Sequence, residues 1–359
     1  MKTHLAVWSL TLALASAQDK NALDRPAQPA QDGWDVRYAE LEPRLEQQLA
    51  EAPESLAVMD NLARVYRARA KYDKAADLYR HALAVREADL GREHLDLVPT
   101  LENLSRIDQL RRQFGDAEIL LARAIGIRER SQGADHPDVA TDYTALARLF
   151  VVQKKLRESE PLYTRAIQIL AKNFGDMDSK LPPVLDSLAS AYREQAKNDQ
   201  AEALLRHSLA IRDNAVGPVH PDVAQALDSL AALYYGEKRY VEAQPLYERS
   251  LRIWVQLLGP DHPVVATSLD NLAVVLAMQE KYAEAELLYR QALSIRDTED
   301  ANSLHNLALV DTGLGRKNEA AAFYKRMLAM PVKDLATAKD EYADLQRNMK
   351  NSKTAKPLL

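Results

Sequence analysis

The sequence has no cysteine, which excludes disulfides, thiolate metal sites, cysteine nucleophiles and lipid attachment at an N-terminal cysteine. Helix breakers are scarce, with 11 glycines and 16 prolines in 359 residues. Aromatic residues are only 6 %, a poor supply for a β-sandwich or barrel, whose strands draw on aromatic and β-branched side chains. Neither sign of charge dominates: 47 Lys and Arg against 52 Asp and Glu leave −5. Nucleic acid is therefore not the expected partner. Past the N-terminus no apolar run nears the ~20 residues that cross a bilayer. What is present is 47 % hydrophobic and 28 % charged and visibly rich in Ala, Leu, Glu and Arg, the make-up of soluble helices.

The N-terminus differs from the rest. Lys2 precedes an apolar stretch, Leu5–Leu14, and an Ala15-Ser16-Ala17 site, the pattern of a secretory signal peptide cleaved after Ala17. The expectation is an exported protein, periplasmic or secreted and bacterial, with no stable membrane insertion after cleavage. Residues 18–33 are polar and carry Pro26 and Pro29, which predicts a flexible linker.

From there the chain repeats itself. Anchored on a leucine, the pattern recurs at Leu62, Leu104, Leu146, Leu188, Leu230, Leu272 and Leu307, five steps of 42 residues and one of 35. A small residue follows each leucine, from Ala63 and Ser105 to Ala308. Another stands thirteen past it, from Ala75 and Ala117 to Ala320, and a large one four further on, from Tyr79 and Leu121 to Tyr324. In the fifth unit Leu227, Leu230, Ala231 and Tyr234 share one helix face, and Ala243, Leu246, Tyr247, Ser250 and Leu251 share a second. Gly-x-x-His-Pro segments at Gly133–Pro137, Gly217–Pro221 and Gly259–Pro263 separate the units. A helix pair cannot bury its stripe alone, so neighbours must stack into one core.

These columns resemble the tetratricopeptide repeat, and the 42-residue period with G-x-D-H-P punctuation is similar to the kinesin-light-chain type. The resemblance implies an all-α fold, a right-handed α-solenoid of about seven antiparallel helix pairs over residues 54–330. Residues 34–53 and 331–350 predict capping helices, and 351–359 a disordered tail. Departures from the pattern are Asp108 and Asp311 at the aromatic position and Asp176–Lys180 at the third inter-repeat turn.

No catalytic, metal or cofactor site is expected. His94, His136, His220 and His262 recur at one repeat position, so they form a spaced row, whereas metal ligands must meet within about 2 Å of one ion. Their expected work is capping the helix that follows. Gly313-Leu314-Gly315 has no strand before it, as a phosphate loop requires.

The resemblance also implies a concave groove lined by the first helices. Its columns carry over to Asp60, Glu102, Asp270 and His305; to Asn61, Asn103, Asn271 and Asn306; to Arg64, Arg106, Arg148, Val274 and Leu309; and to Arg67, Arg193 and Tyr235. Asp60–Arg64 and Glu102–Arg106 are also spaced as intrahelical ion pairs. The expected activity is non-enzymatic binding of a protein or peptide partner in that groove. Acidic residues would sit over the arginines, and an aromatic or aliphatic anchor over Tyr235, Val274, Ala277 and Leu309. The alternative is a structural component of an envelope or secretion assembly that packs through the convex face.

Overall fold

The computed structural model describes residues 31–296, 300–330 and 336–354. The signal segment, residues 18–30 of the linker, and residues 355–359 lie outside these. Sixteen α-helices and no strand occur among the described residues. A lone helix, α1 (Gln31–Glu51), precedes seven pairs: α2 (Leu56–Ala68) with α3 (Tyr72–Leu90), α4 (Val98–Leu110) with α5 (Phe114–Gln132), α6 (Pro137–Val152) with α7 (Leu156–Phe174), and α8 (Pro182–Glu194) with α9 (Asn198–Val216). Then come α10 (Pro221–Gly236) with α11 (Tyr240–Leu258), α12 (Pro263–Met278) with α13 (Tyr282–Ile295), and α14 (Ala301–Gly313) with α15 (Lys317–Leu328). A final helix, α16 (Ala336–Thr354), runs four residues beyond the boundary expected at 350. The chain divides inside α9 into two compact units, one ending at Ile211 and the other beginning at Arg212.

The small columns explain the pairing. Ala63, Ser105, Ala147, Ala189, Ala231, Ala273 and Ala308 are buried completely, and so are Ala75, Ala117, Ser159, Ala201, Ala243, Ala285 and Ala320. With no bulk on either side the two helices of a pair close together. The large column beside them, including Tyr79, Tyr163, Tyr289 and Tyr324, fills the remaining space.

Two turns repeat with the helices. Inside each of the first six pairs, a residue with a side chain takes a left-handed backbone: Ala70, Arg112, Lys154, Ala196, Lys238 and Glu280, with φ between 55° and 65°. The next residue's N–H then reaches back to the carbonyl five before it, as from Lys71 to Tyr66 (2.8 Å), Gln113 to Asp108 (2.7 Å) and Arg316 to Asp311 (2.8 Å). That is the Schellman closure. Because the acceptor is backbone, Asp108 and Asp311 make the same turn as the aromatic residues they replace. In the last repeat Gly315 takes the left-handed position, and Gly313 lets the Tyr282 ring approach to where a Cβ would meet it at 2.8 Å. The Gly313–Gly315 pair thus serves a helix turn.

Between pairs, glycine at φ +91° (Gly175) or +84° (Gly259) ends the second helix, a region that other residues avoid. The histidines then cap the following helix. Nδ1 accepts the N–H two residues on: Asp96 to His94 (3.3 Å), Asp138 to His136, Asp222 to His220 and Val264 to His262 (3.2 Å each). At the divergent third turn Asp178 stands in the histidine's place and accepts from Lys180 N–H at 2.8 Å. The helix after it starts only at Pro182, so α8 is three residues shorter than α6 or α10.

Side chains tie repeat to repeat at a fixed offset. Lys155 binds Glu118 (3.1 Å) and Lys197 binds Glu160 (2.7 Å) in the N-terminal unit; Lys281 donates to Gln244 (3.1 Å) in the C-terminal one. Helix α1 joins α2 through Tyr66 to Glu46 (2.6 Å) and Lys71 to Glu42 (2.5 Å), with Leu45 and Leu49 packed on the core around Leu62 and Tyr79.

Candidate functional site

The two units present their first helices differently. In the N-terminal unit the acidic column faces the second helix of its own pair. Arg86 of α3 grips Asp60 through two hydrogen bonds (2.6 and 3.3 Å), and Arg128 of α5 meets Glu102 at 2.8 Å. The spacing that suggested pairing with Arg64 and Arg106 is therefore corrected: those carboxylates are held across the pair rather than along the helix. The reason is burial. Arg86 and Arg128 are mostly buried beside the acids, where charge pairing is stronger than on an exposed helix face.

Four arginines of the groove columns are left uncompensated. Arg64, Arg106 and Arg148 are exposed, one per repeat, and Arg67 is half-buried. None of the four has a side-chain hydrogen bond or ion pair among the described residues. They share a locality: Arg67, Arg64 and Arg106 all act electrostatically on the buried Tyr79 hydroxyl, opposing the rise that burial imposes on it. Arg148 does the same at Tyr163. Arg193, in the column of Arg67, is half-buried and already engaged by neighbouring groups. Asn61 is exposed and Asn103 half-buried beside the arginines.

Behind this face lies a group that the repeat pattern did not mark. Asp142 of α6 is 1 % exposed, at a column where other repeats carry Val58, Thr100, Val184, Ala226 and Ser268. Arg128 Nη1 bridges it (2.5 Å) to Glu102 (2.8 Å). Burial, together with the Glu102 carboxylate, pushes Asp142 up to about 7 against the pull of Arg128. An isolated acid in an otherwise uncharged column was the visible signal.

In the C-terminal unit the expected apolar anchor site is not open. Tyr235, Val274, Ala277 and Leu309 are buried, as are His305 and Asn306. Ten of the residues of α12 are buried, from Val265 to Ala277, because this helix packs against both α11 and α13. A helix apolar on most sides belongs inside a stack. His305 meets Glu341 of α16 (2.6 Å), which also accepts from the Tyr324 hydroxyl (3.2 Å). The polar groups here are acids and phenols. Asp270 is held by Arg296, the residue just past α13, and Asn271 beside it is half-buried. Asp228 and Asp270 are each pushed up to about 6 by burial, which hydrogen bonds to Asp228 and the Arg296 charge at Asp270 partly offset. Arg86, Arg128 and Arg296 went unnoticed in the sequence, although their spacing follows the same 42-residue period.

Among the described residues no cluster of His, Asp and Glu is arranged to hold a metal ion, and no helix is long and apolar enough to cross a membrane.

Comparison with known proteins agrees with the geometry. The tetratricopeptide repeat profiles match residues 54–130, 96–172, 183–240, 224–298 and 301–330. Among curated protein sequences none matches the chain. Similar solved structures include a Podosopora anserina putative kinesin light chain with nearly identical TPR-like repeats, at 24 % identity over 57 % of this chain and 96 % of that one, TM-score 0.51. The BtubC (BKLC) protein of P. vanneervenii is similar at 24 % identity over 63 % and 89 %, TM-score 0.53. A Pyrococcus horikoshii STAND protein with a tetratricopeptide repeat sensor reaches TM-score 0.62 at 16 % identity, over 86 % of this chain and 45 % of that one. At these identities the likeness is one of fold. With the repeat profile covering most of the sequence and each of its periods folded as a packed helix pair, the chain belongs to the tetratricopeptide repeat family.

Proposed function

We propose that this chain is a non-enzymatic scaffold that binds an acidic segment of a partner protein on the first-helix face of its N-terminal unit. Tetratricopeptide repeats are a scaffold fold that typically mediates protein–protein interaction. The observation that carries the finer reading is the set of unpaired arginines Arg64, Arg67, Arg106 and Arg148, whose neighbouring acids are occupied by Arg86 and Arg128. A guanidinium offers a planar fork of donors to a carboxylate, and Asn61 and Asn103 stand ready to hold a peptide backbone. The protein is exported with cleavage after Ala17, and works in the periplasm or outside the cell.

The test is fluorescence anisotropy with a glutamate-rich peptide and its lysine-rich counterpart, across a salt series. The glutamate peptide binds and weakens as salt rises, since exposed charge contacts are screened within ~8–10 Å. Arg106→Ala with Arg148→Ala binds more weakly and with a flatter salt dependence. Equal affinity and slope in the double variant would refute the reading. N-terminal sequencing of the exported protein, beginning at Gln18, checks the processing.

A second reading has its own observation. Ile119 and Leu287 are exposed and occupy the same position of the second helix in repeats two and six. They favour assembly through the second-helix face, with the first-helix face idle. Ile119→Lys and Leu287→Lys would then abolish assembly while leaving peptide binding unchanged.

A further inference from the structure

Asp142 of α6 and Glu102 of α4 meet on a single guanidinium nitrogen. Arg128 Nη1 donates to Asp142 Oδ1 at 2.5 Å and lies 2.8 Å from Glu102 Oε1. The two contacts are unequal. The first is a hydrogen bond, whereas the second is an ion pair that leaves the buried Glu102 Oε1 without a hydrogen-bond donor. Asp142 Oδ2 is buried without a donor as well. Unmet buried acceptors are uncommon and cost stability. Two carboxylates against one guanidinium also leave an excess negative charge, at a place where Asp142 is 1 % exposed.

One proton answers both deficits. On Asp142 it turns an acceptor into an O–H donor and cancels the excess charge. Burial and the Glu102 carboxylate favour that form, pushing Asp142 up to about 7. The surrounding charged groups are engaged elsewhere. Arg128 also donates to the Asp138 carbonyl (3.4 Å), and Asp138 Oδ2 lies 3.6 Å from His136. Tyr143 of α6 donates to Glu129 of α5 (2.8 Å). From α7, Arg165 and Lys172 are held by Asp135; from α8, Asp186 accepts from Ser208 (2.6 Å).

When the proton leaves, one carboxylate has to give way. Asp142 is short, enclosed and hydrogen-bonded. Glu102 is longer, its side chain is 32 % exposed, and only the unaligned contact holds it. One turn further along α4 stands Arg106, exposed and without a side-chain partner among the described residues. A glutamate four residues ahead of an arginine is the favoured order for an ion pair along a helix.

We propose that a proton shared by Asp142 and Glu102 keeps Arg106 open to the acidic partner segment, and that its loss sends Glu102 to Arg106 and weakens binding. The proposal rests on the reading of the arginine face given above and adds its regulation by pH. With Glu102 on Arg106, the face loses one free positive charge. By linkage, an acidic segment that claims Arg106 draws a proton onto the pair.

The test is fluorescence anisotropy with the glutamate-rich peptide at pH 6 and pH 8.5 and constant ionic strength. The peptide carboxylates, ordinarily titrating at about 4.3, stay ionised throughout. The native chain binds about two- to fivefold more weakly at pH 8.5, the size of one exposed charge contact. Asp142→Asn keeps the shape but cannot ionise, so its affinity does not change with pH. Glu102→Gln, at a more open position, removes the dependence too and decides should the buried variant fold poorly. Equal native affinity at both pH values overturns the proposal. So does a pH dependence that survives both substitutions, which would assign it to histidines such as His94 or His136. A chain that binds the peptide at neither pH refutes the arginine face itself. The carboxyl carbon-13 shifts of Asp142 and Glu102 then decide the proton alone, and shifts that stay flat from pH 6 to pH 8.5 overturn it.

Discussion

At the turn inside each of the first six pairs a residue with a side chain is held left-handed, a conformation that costs an L-residue roughly 1–2 kcal/mol relative to glycine. Arg112 (φ 59°) is such a residue, exposed and without a side-chain partner among the described residues. Arg112→Gly relieves that strain but adds freedom to the unfolded chain. The expected net is a gain of about 0.5–1 kcal/mol, measured by urea denaturation. Asp142 behaves in the opposite sense. Its folded value, pushed up to about 7, lies above the unfolded one near ~3.9. The folded state therefore favours the proton: the stabilisation is complete below about pH 4 and is lost as pH rises through about 7. The protection factor of amides at the junction of α4, α5 and α6, exchange corrected for its intrinsic pH dependence, should be larger at pH 6 than at pH 8. Asp142→Val, which copies Val184, should erase that difference and leave the Glu102–Arg128 pair intact. If the protection factor in the native chain does not change with pH, the buried-acid account fails.

At the scale of elements, α1 has a clear job. It covers the core around Leu62, Ala63 and Tyr79 with Leu45 and Leu49, and binds α2 through Glu42 and Glu46. A solenoid end without such a cover exposes its stripe. Removing residues 31–52 should make α2 and α3 the first helices to exchange their amides, with the central repeats following later. Central helices opening first would show that α1 is not a cap. The inter-pair turns show how chemistry outlasts sequence identity. Asp178 does the work of a histidine with one accepted hydrogen bond, and the helix behind it has the same 13 residues as α4 behind His94. His136→Ala should cost about 0.5–2 kcal/mol, the value of an N-cap, read as a lowered midpoint in chemical denaturation.

Over the whole molecule, the near-neutral net charge conceals local asymmetry. The N-terminal unit leaves arginines unmatched on its first-helix face, and the C-terminal unit buries acids and phenols on its own. Composition sums over both and reports neither. The helix pairs, their period, the complete burial of the small columns and the turn role of the histidines were legible in the sequence. Each follows from local spacing: side chains three or four apart share a helix face, and glycine or proline at fixed offsets ends it. What tertiary structure decided was partnership. Asp60 chose Arg86, twenty-six residues away, over Arg64 four away, and Val274 and Leu309 were drawn inside where the pattern placed them on an open face. Spacing along one helix sets which way a side chain points. Which charge is buried beside it, and whether a neighbouring helix covers it, depends on segments that meet only when the pairs stack.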